Sequence, residues 1–170
     1  KKLAASALAL FLFMGVTMAQ TFAFVESDYI LQNIPSYNAA QQELDKASEA
    51  WEAEVAKEYE AIETMYKTYQ SERVLLTDEM KKKREEEIMN KERQVKELQA
   101  KYFGPDGDLS KKRQELVKPI QDAIYKAVKE LSAEGSYAVI FDTASGASIL
   151  YSNPRYDLSD EVLEKMGYKN

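Results

Sequence analysis

A stretch of 68 residues from Ser36 to Phe103, which contains neither proline nor glycine, constrains the fold of this chain more than any other feature. Within it, apolar residues recur every seven positions along two lines. Repeats of seven are typical of helices that pack along a narrow seam, as in coiled coils. Polar residues interrupt both lines, which argues against one continuous zipper. The first line is Val55, Ile62, Tyr69 and Leu76, and the second is Leu44, Trp51 and Met65.

Segments typical of β-strands lie on either side of this helical region. Residues 21–26 and 137–142 are rich in aromatic and β-branched side chains, and residues 148–151 predict a third strand. If these strands share a sheet, the helices between them must run outward and return. Thr77, followed by two acidic residues, is typical of a helix start, so we place the tip of the hairpin near Leu76 and Thr77.

Glycine and proline predict breaks in the returning part of the hairpin. Residues 104–107, Gly-Pro-Asp-Gly, predict a turn, and Gly135 predicts the end of the last long helix. Pro119 lies within that helix and is expected to kink it or to begin a new segment. Both breaks could act as hinges that let the arms spread; the alternative is a fixed kink and an ordinary surface loop.

We therefore predict an α+β fold with a long antiparallel helical hairpin, residues 37–116, projecting from a small β-rich body made of residues 20–36 and 117–170. A three-stranded sheet and a short helix bury little surface on their own. The body is therefore expected to assemble with copies of itself into a closed oligomer. The candidate residues for this interface are Phe22, Phe24, Val139, Phe141, Ile149 and Tyr151.

The first 19 residues predict a secretory signal peptide. Two lysines precede an apolar stretch at residues 3–16, and the small residues Thr17 and Ala19 lead us to expect cleavage after Ala19. The alternative is a membrane anchor, but the apolar stretch is shorter than the roughly 20 residues that span a bilayer. Export would place the chain in the periplasm, with no stable membrane insertion after cleavage.

The charge balance limits the partners that we expect. Loss of Lys1 and Lys2 would leave 21 basic and 29 acidic residues, a net charge of −8. Nucleic acids and anionic membrane surfaces both require a basic face, so neither is an expected partner. The strongly charged run at residues 81–87 is interpreted as a solvated helix face.

The sequence favours a protein that is not an enzyme and that has no cofactor. It contains no cysteine and no histidine, which excludes thiol chemistry and imidazole acid–base catalysis. No nucleophile elbow, phosphate-binding loop or cluster of metal ligands appears. Asp106 and Asp108 lack the further ligands of a calcium loop, so no metal is expected there.

Several segments together resemble the Skp/OmpH family of periplasmic chaperones, and they follow the family's order over the whole chain after the signal peptide. They are residues 22–25 (FAFV), 112–121 (KRQELVKPIQ), 139–142 (VIFD), 149–153 (ILYSN) and 157–163 (DLSDEVL). The resemblance implies a homotrimer in which three helical hairpins surround a cavity. It also implies an ATP-independent holdase that binds unfolded outer-membrane proteins and prevents their aggregation before membrane insertion.

This chain departs from the family in its charge. The best-known members are basic, whereas the outward arm here, residues 36–77, carries nine acidic and four basic residues. No lipopolysaccharide site is therefore carried over from the family.

The outward arm is unusually rich in aromatic residues for a charged helix. Unfolded clients present apolar patches without a fixed shape, which suits adaptable aromatic and methionine side chains. The alternative is that these side chains simply pack between the two arm helices. The candidate client-binding residues are Trp51, Tyr59, Met65, Tyr66 and Tyr69.

Two other functions compete with the holdase. The chain could be a structural coiled-coil spacer of the cell envelope, or an adaptor dedicated to one assembly machine. A spacer should have long uninterrupted heptads and no returning strands, which does not match this sequence. The sequence does not distinguish one dedicated partner from many clients.

Overall fold

A computed structural model describes residues 21–146 and 149–168 of the chain. Two strands and five α-helices are arranged as a long hairpin on a small body, which confirms the predicted α+β architecture. The elements are β1 (Thr21–Val25), α1 (Ser27–Gln32), α2 (Pro35–Glu72), α3 (Asp78–Phe103), α4 (Asp108–Gly135), β2 (Tyr137–Asp142), a 3₁₀ turn (Pro154–Tyr156) and α5 (Ser159–Lys165).

Helix α2 is the outward arm and α3 begins the return. The 38 residues of α2 span about 57 Å at 1.5 Å per residue. The Thr77 hydroxyl accepts a hydrogen bond from the amide of Met80 at 3.3 Å, so Thr77 caps α3 as predicted and the tip of the hairpin lies at residues 73–77. Four residues of the heptad lines, Leu44, Val55, Ile62 and Tyr69, are buried, whereas Trp51 and Met65 are only partly buried and Leu76 lies at the tip. The other buried side chains of the two helices are Ala40, Ile88, Val95 and Tyr102.

The return continues as α4, which packs against the base of α2. The predicted turn at residues 104–107 is present, and the Gly107 amide donates to the Gly104 carbonyl at 2.9 Å. The alternative of a new segment at Pro119 is wrong, because α4 runs unbroken through it. Pro119 has no N–H to donate to the carbonyl of Glu115, but both residues are exposed, so water can hydrate that carbonyl.

Helix α4 ends one residue later than the sequence suggested. Ser136, not Gly135, adopts the left-handed conformation, with φ of 52°. Gly135 is required for a different reason, since a Cβ atom there would lie 2.1 Å from Cε2 of the Tyr137 ring. The glycine therefore allows the aromatic ring at the start of β2 to pack against the end of α4.

The two strands bring the start of the described chain against the segment that follows α4. They pair in parallel, with Phe22 opposite Val139, Ala23 opposite Ile140 and Phe24 opposite Phe141. One face of this sheet packs on the helices, and the opposite face carries Phe22, Phe24, Val139 and Phe141. The buried core of the body consists of Ala23, Val25, Ile30, Ile34, Ala127, Leu158, Val162 and Leu163.

The predicted third strand is not present in the part of it that the structure describes. Residues 149–151 are irregular, and Ser148 lies outside the described residues. The edge of β1 that faces away from β2 is instead covered by the segment before α5, because the amide of Leu158 donates to the Phe24 carbonyl at 2.8 Å. Side-chain hydrogen bonds add to this closure: the Ser159 hydroxyl accepts from the Glu26 amide at 2.8 Å.

Candidate functional site

The aromatic side chains of the arm fall into a packed group and an exposed group. Near the turn between α3 and α4, Trp51 stacks on Tyr102 with 5.0 Å between ring centroids and 7° between planes, and Tyr102 meets Phe103 edge-on at 6.3 Å. The Tyr102 hydroxyl donates to Glu54 at 2.9 Å, which links α3 to α2. Trp51 is therefore largely a packing residue, with part of its ring at the surface.

Tyr59 and Tyr66 form the exposed group, and the two residues are 46% and 41% exposed. Their hydroxyls donate across the hairpin, from Tyr59 to Oε1 of Gln99 at 3.2 Å and from Tyr66 to Oε1 of Glu92 at 2.9 Å. The two tyrosines are seven residues apart, so they lie on one side of α2, about 10 Å from each other. We call these two rings the tyrosine pair. Each side chain is therefore fixed at its hydroxyl end while nearly half of the residue remains accessible.

Tyr69 differs from the tyrosine pair because its ring is buried in the seam. Its hydroxyl donates a hydrogen bond to Glu85. Met65 is half-buried beside it and, with Ile88, lines a small cleft between the helices. Neither side chain offers a client as much surface as Tyr59 or Tyr66 does.

Carboxylates hold several of these phenols in their protonated form. A hydrogen bond to Glu92 raises the pKa of Tyr66, one to Glu85 raises the pKa of Tyr69, and one to Glu54 raises the pKa of Tyr102. A tyrosine is already neutral at pH 7, so these side chains act as fixed hydrogen-bond donors and not as acid–base groups.

An apolar groove opens next to the tyrosine pair. It has a volume of about 380 Å³ and lies between α2 and α3, beside Tyr59. Its lining is mainly apolar, so it is suited to an apolar side chain. The lining residues are Glu52, Val55, Ala56, Tyr59, Gln99 and Phe103.

The outer face of the sheet is a second apolar surface. The Phe141 ring lies 6.2 Å from that of Phe22 and 5.8 Å from that of Phe24, and Val139 completes the patch, which we call the sheet face. Ile149 is half-buried nearby in sequence, whereas Tyr151 is exposed. Single exposed apolar side chains are common on protein surfaces, whereas four neighbouring ones on one strand pair are typical of an interaction surface.

A third surface at the tip of the hairpin was not predicted. Val74 and Leu75 are 89% and 83% exposed, which is unusual for two adjacent aliphatic residues. The signal was present in the sequence as three consecutive apolar residues, 74–76, at the expected tip. The heptad pattern predicted that Leu76 belongs to the seam, but it gave no prediction for Val74 and Leu75. The sequence analysis also did not identify Gln99 and Glu92, the hydrogen-bond partners of the tyrosine pair. A polar residue on a charged helix gives no indication in the sequence of which side chain it contacts.

Within the described ranges, no cluster of three acidic side chains is arranged to hold a metal ion. No helix in that same part of the chain is long and apolar enough to cross a membrane. The residues predicted to form the signal peptide lie outside the described ranges.

Comparison with known proteins places this chain in a family. Residues 21–166 match the family described as Outer membrane protein (OmpH-like). An uncharacterised protein of Aquifex aeolicus is 26% identical over 155 residues, which cover 91% of each chain. The structure resembles that of a candidate outer membrane chaperone (OmpH-like) from Caulobacter crescentus, with a TM-score of 0.67, 12% identity, and coverage of 89% of this chain and 88% of that one. The chain belongs to the OmpH-like family.

Proposed function

We propose that this protein is an ATP-independent holdase chaperone of the periplasm that binds unfolded outer-membrane proteins and prevents their aggregation. The observation that carries the proposal is the tyrosine pair, two aromatic rings held half-exposed on one side of a 38-residue arm. Membership of the OmpH-like family and the chaperone description of the Caulobacter relative support it.

The geometry suits weak contacts with many different sequences. Because the hydroxyls of Tyr59 and Tyr66 are fixed to α3, little side-chain entropy is lost when a client covers the rings. The apolar groove beside Tyr59 offers space for one apolar client side chain. Contacts of this kind form and dissociate without a chemical energy source, so the cycle requires no nucleotide.

The sheet face supports the proposal that the chain acts as a homotrimer. One apolar face of the strand pair packs against helices, but the other apolar face is exposed to water. A two-stranded sheet of this kind needs a further packing partner to be stable. Burial of Phe22, Phe24, Val139 and Phe141 between copies would remove this patch from water. Hairpins from three bodies would then surround one client, and several weak contacts would act together.

The location rests on the predicted signal peptide. Export with cleavage after Ala19 would deliver the protein to the compartment where outer-membrane proteins pass unfolded. Mass spectrometry of protein purified from the envelope fraction tests this proposal, because the expected N-terminus is Gln20.

Aggregation of a urea-unfolded outer-membrane β-barrel, followed by light scattering after dilution, tests the function. We expect suppression near stoichiometric amounts of the chain in buffer without ATP. Failure to suppress at several-fold excess would contradict the holdase and favour a spacer or a dedicated adaptor. A pull-down from envelope extract would then distinguish those two, since only the adaptor has one defined partner.

A further inference from the structure

The tyrosine pair belongs to a longer line of residues along one side of α2. Residues seven apart in a helix lie on the same side, about 10 Å from one another. Two steps of this kind from Tyr59 toward the body reach Glu52 and Asp45, which are both exposed. The apolar groove lies beside this line, because Glu52 and Tyr59 both line that groove. We call these four residues the arm line, which presents two carboxylates followed by two aromatic rings: Asp45, Glu52, Tyr59 and Tyr66.

Three further carboxylates flank the arm line on the same side of α2. Each lies three or four residues from a member of the line or from Ala56 of the groove, and residues at that spacing are neighbours on a helix surface. All three are exposed. Two of them, like Asp45 and Glu52, take part in no ion pair within the described ranges. The flanking residues are Glu49, Glu60 and Glu63, of which Glu63 is the paired one.

Basic residues offset little of this charge. On α2, Lys67 lies on the same side and pairs with Glu63. Across the seam, Lys96 lies between Glu92 and Gln99 on the side of α3 that holds the partners of the tyrosine pair, so its charge cancels that of Glu92. The four remaining carboxylates therefore keep this surface negative, which favours a cationic partner.

We propose that the arm line selects unfolded segments in which aromatic residues are followed by lysine or arginine at a spacing of three. This inference rests on the proposed holdase function and names the client segments that it takes. Unfolded chains often adopt the polyproline II conformation, which advances about 9 Å in three residues and returns to the same side. That repeat matches the step of about 10 Å along α2. Such a segment places two aromatic side chains on Tyr59 and Tyr66 and two cations beside Glu52 and Asp45.

Charge complementarity favours this occupant over others. The carboxylates repel an acidic segment, and a purely apolar segment leaves them without a partner. The aromatic side chain next to Tyr59 enters the apolar groove, which has a volume of about 380 Å³. Because the ion pairs are exposed, each one contributes modestly, so the arm line selects a type of segment and not one exact sequence.

Fluorescence anisotropy with three labelled peptides tests this proposal. One peptide has the pattern Phe-x-x-Phe-x-x-Lys-x-x-Lys, with glycine and serine at x, and the other two carry glutamine or glutamate in place of both lysines. The protein is the full chain as purified after export. We expect the lysine peptide to bind about three- to tenfold more tightly than the glutamine peptide, and the glutamate peptide to bind most weakly. Added salt should reduce the advantage of the lysine peptide.

Matched carboxylate variants separate the arm line from the net charge of the chain. Asp45→Asn/Glu52→Gln removes both charges of the line and should weaken the lysine peptide about two- to fivefold while leaving the glutamine peptide unchanged. Glu86→Gln/Glu97→Gln removes two exposed charges from the side of α3 that faces away from the seam, and this variant should bind like the parent. An equal loss in both variants, or equal affinity of the parent for all three peptides, would overturn the proposal.

A second pair of variants tests the groove. Ala56→Trp places a ring over the groove and should weaken the lysine and glutamine peptides alike. Ala53→Trp changes an exposed position that does not line the groove and should leave both affinities unchanged. An oligomer mass that rises with protein concentration in the parent but not in Ala56→Trp would assign the groove to a second copy and refute the client assignment.

The light-scattering assay reports the holdase function separately from this selectivity. Suppression of aggregation by the parent together with equal affinity for the three peptides refutes only the arm line. A preference for the lysine peptide without suppression of aggregation supports the arm line and contradicts the holdase.

Discussion

Replacement of both Tyr59 and Tyr66 by alanine should weaken client binding about 10- to 30-fold. A tyrosine residue buries about 200 Å² when it is fully covered, and exposures of 46% and 41% leave about 80 to 90 Å² of each residue for a client. At about 25 cal/mol per Å², covering both rings favours binding by about 4 kcal/mol. Ordering of the client and partial coverage offset about half of this or more, which leaves about 1.5 to 2 kcal/mol.

The assay is a fluorescence-anisotropy titration of a labelled, urea-unfolded β-barrel protein, with circular dichroism as a check on folding. Tyr125→Ala is the matched control, because that ring is 70% exposed but lies on α4. We expect the control to bind like the parent. Tyr59→Phe/Tyr66→Phe keeps the rings and removes only their hydrogen bonds, so it should lose less affinity than the alanine variant. Unchanged affinity in the alanine variant would refute the assignment of the tyrosine pair to clients.

Three further predictions concern the body, the assembly and the arm. Gly135→Ala should lower the free energy of unfolding, measured by chemical denaturation, by about 1 to 3 kcal/mol, because the new Cβ atom would clash with the Tyr137 ring. Adding Tyr137→Leu to this variant should recover part of the loss. Phe141→Glu should dissociate the oligomer in light-scattering chromatography if the sheet face is the interface, and an unchanged mass would contradict this. The hydrogen bond to Glu85 raises the pKa of Tyr69 in the folded protein. This bond therefore stabilises the arm fully at pH values below the ordinary tyrosine pKa, near 10. Its contribution is lost as the pH rises through the pKa that Tyr69 has in the folded protein. Tyr69→Phe should therefore flatten the alkaline decline in thermal stability.

Local rules were sufficient to predict the hairpin. The heptad lines depend only on the 3.6-residue period of a helix, and burial of Val55, Ile62 and Tyr69 in one seam follows from it. The tip could be located because Thr77 has a short-range role as a helix cap. These features require no knowledge of which distant segments meet.

Long-range contacts account for what the sequence did not predict. Residues 149–151 have a strand-like composition, but the edge of β1 is bordered by Leu158, and composition cannot decide between two segments competing for one edge. Gly135 looked like a helix cap, whereas its requirement comes from the Tyr137 ring.

The candidate client-binding residues show the same limit. Tyr66 and Tyr69 lie three positions apart on one helix, yet the first is exposed and the second is buried. Membership of the seven-residue line separates them, since Tyr69 belongs to it and Tyr66 does not. That distinction predicts burial correctly here, but whether an exposed ring meets a client depends on a partner that the sequence does not describe.

The central claim is preferential binding of an unfolded outer-membrane protein. The most direct test is the anisotropy titration carried out in parallel with one β-barrel protein in its unfolded form and folded in detergent micelles, without nucleotide. The account predicts saturable binding of the unfolded form and none of the folded form. Equal binding of both forms, or binding of neither, would contradict it.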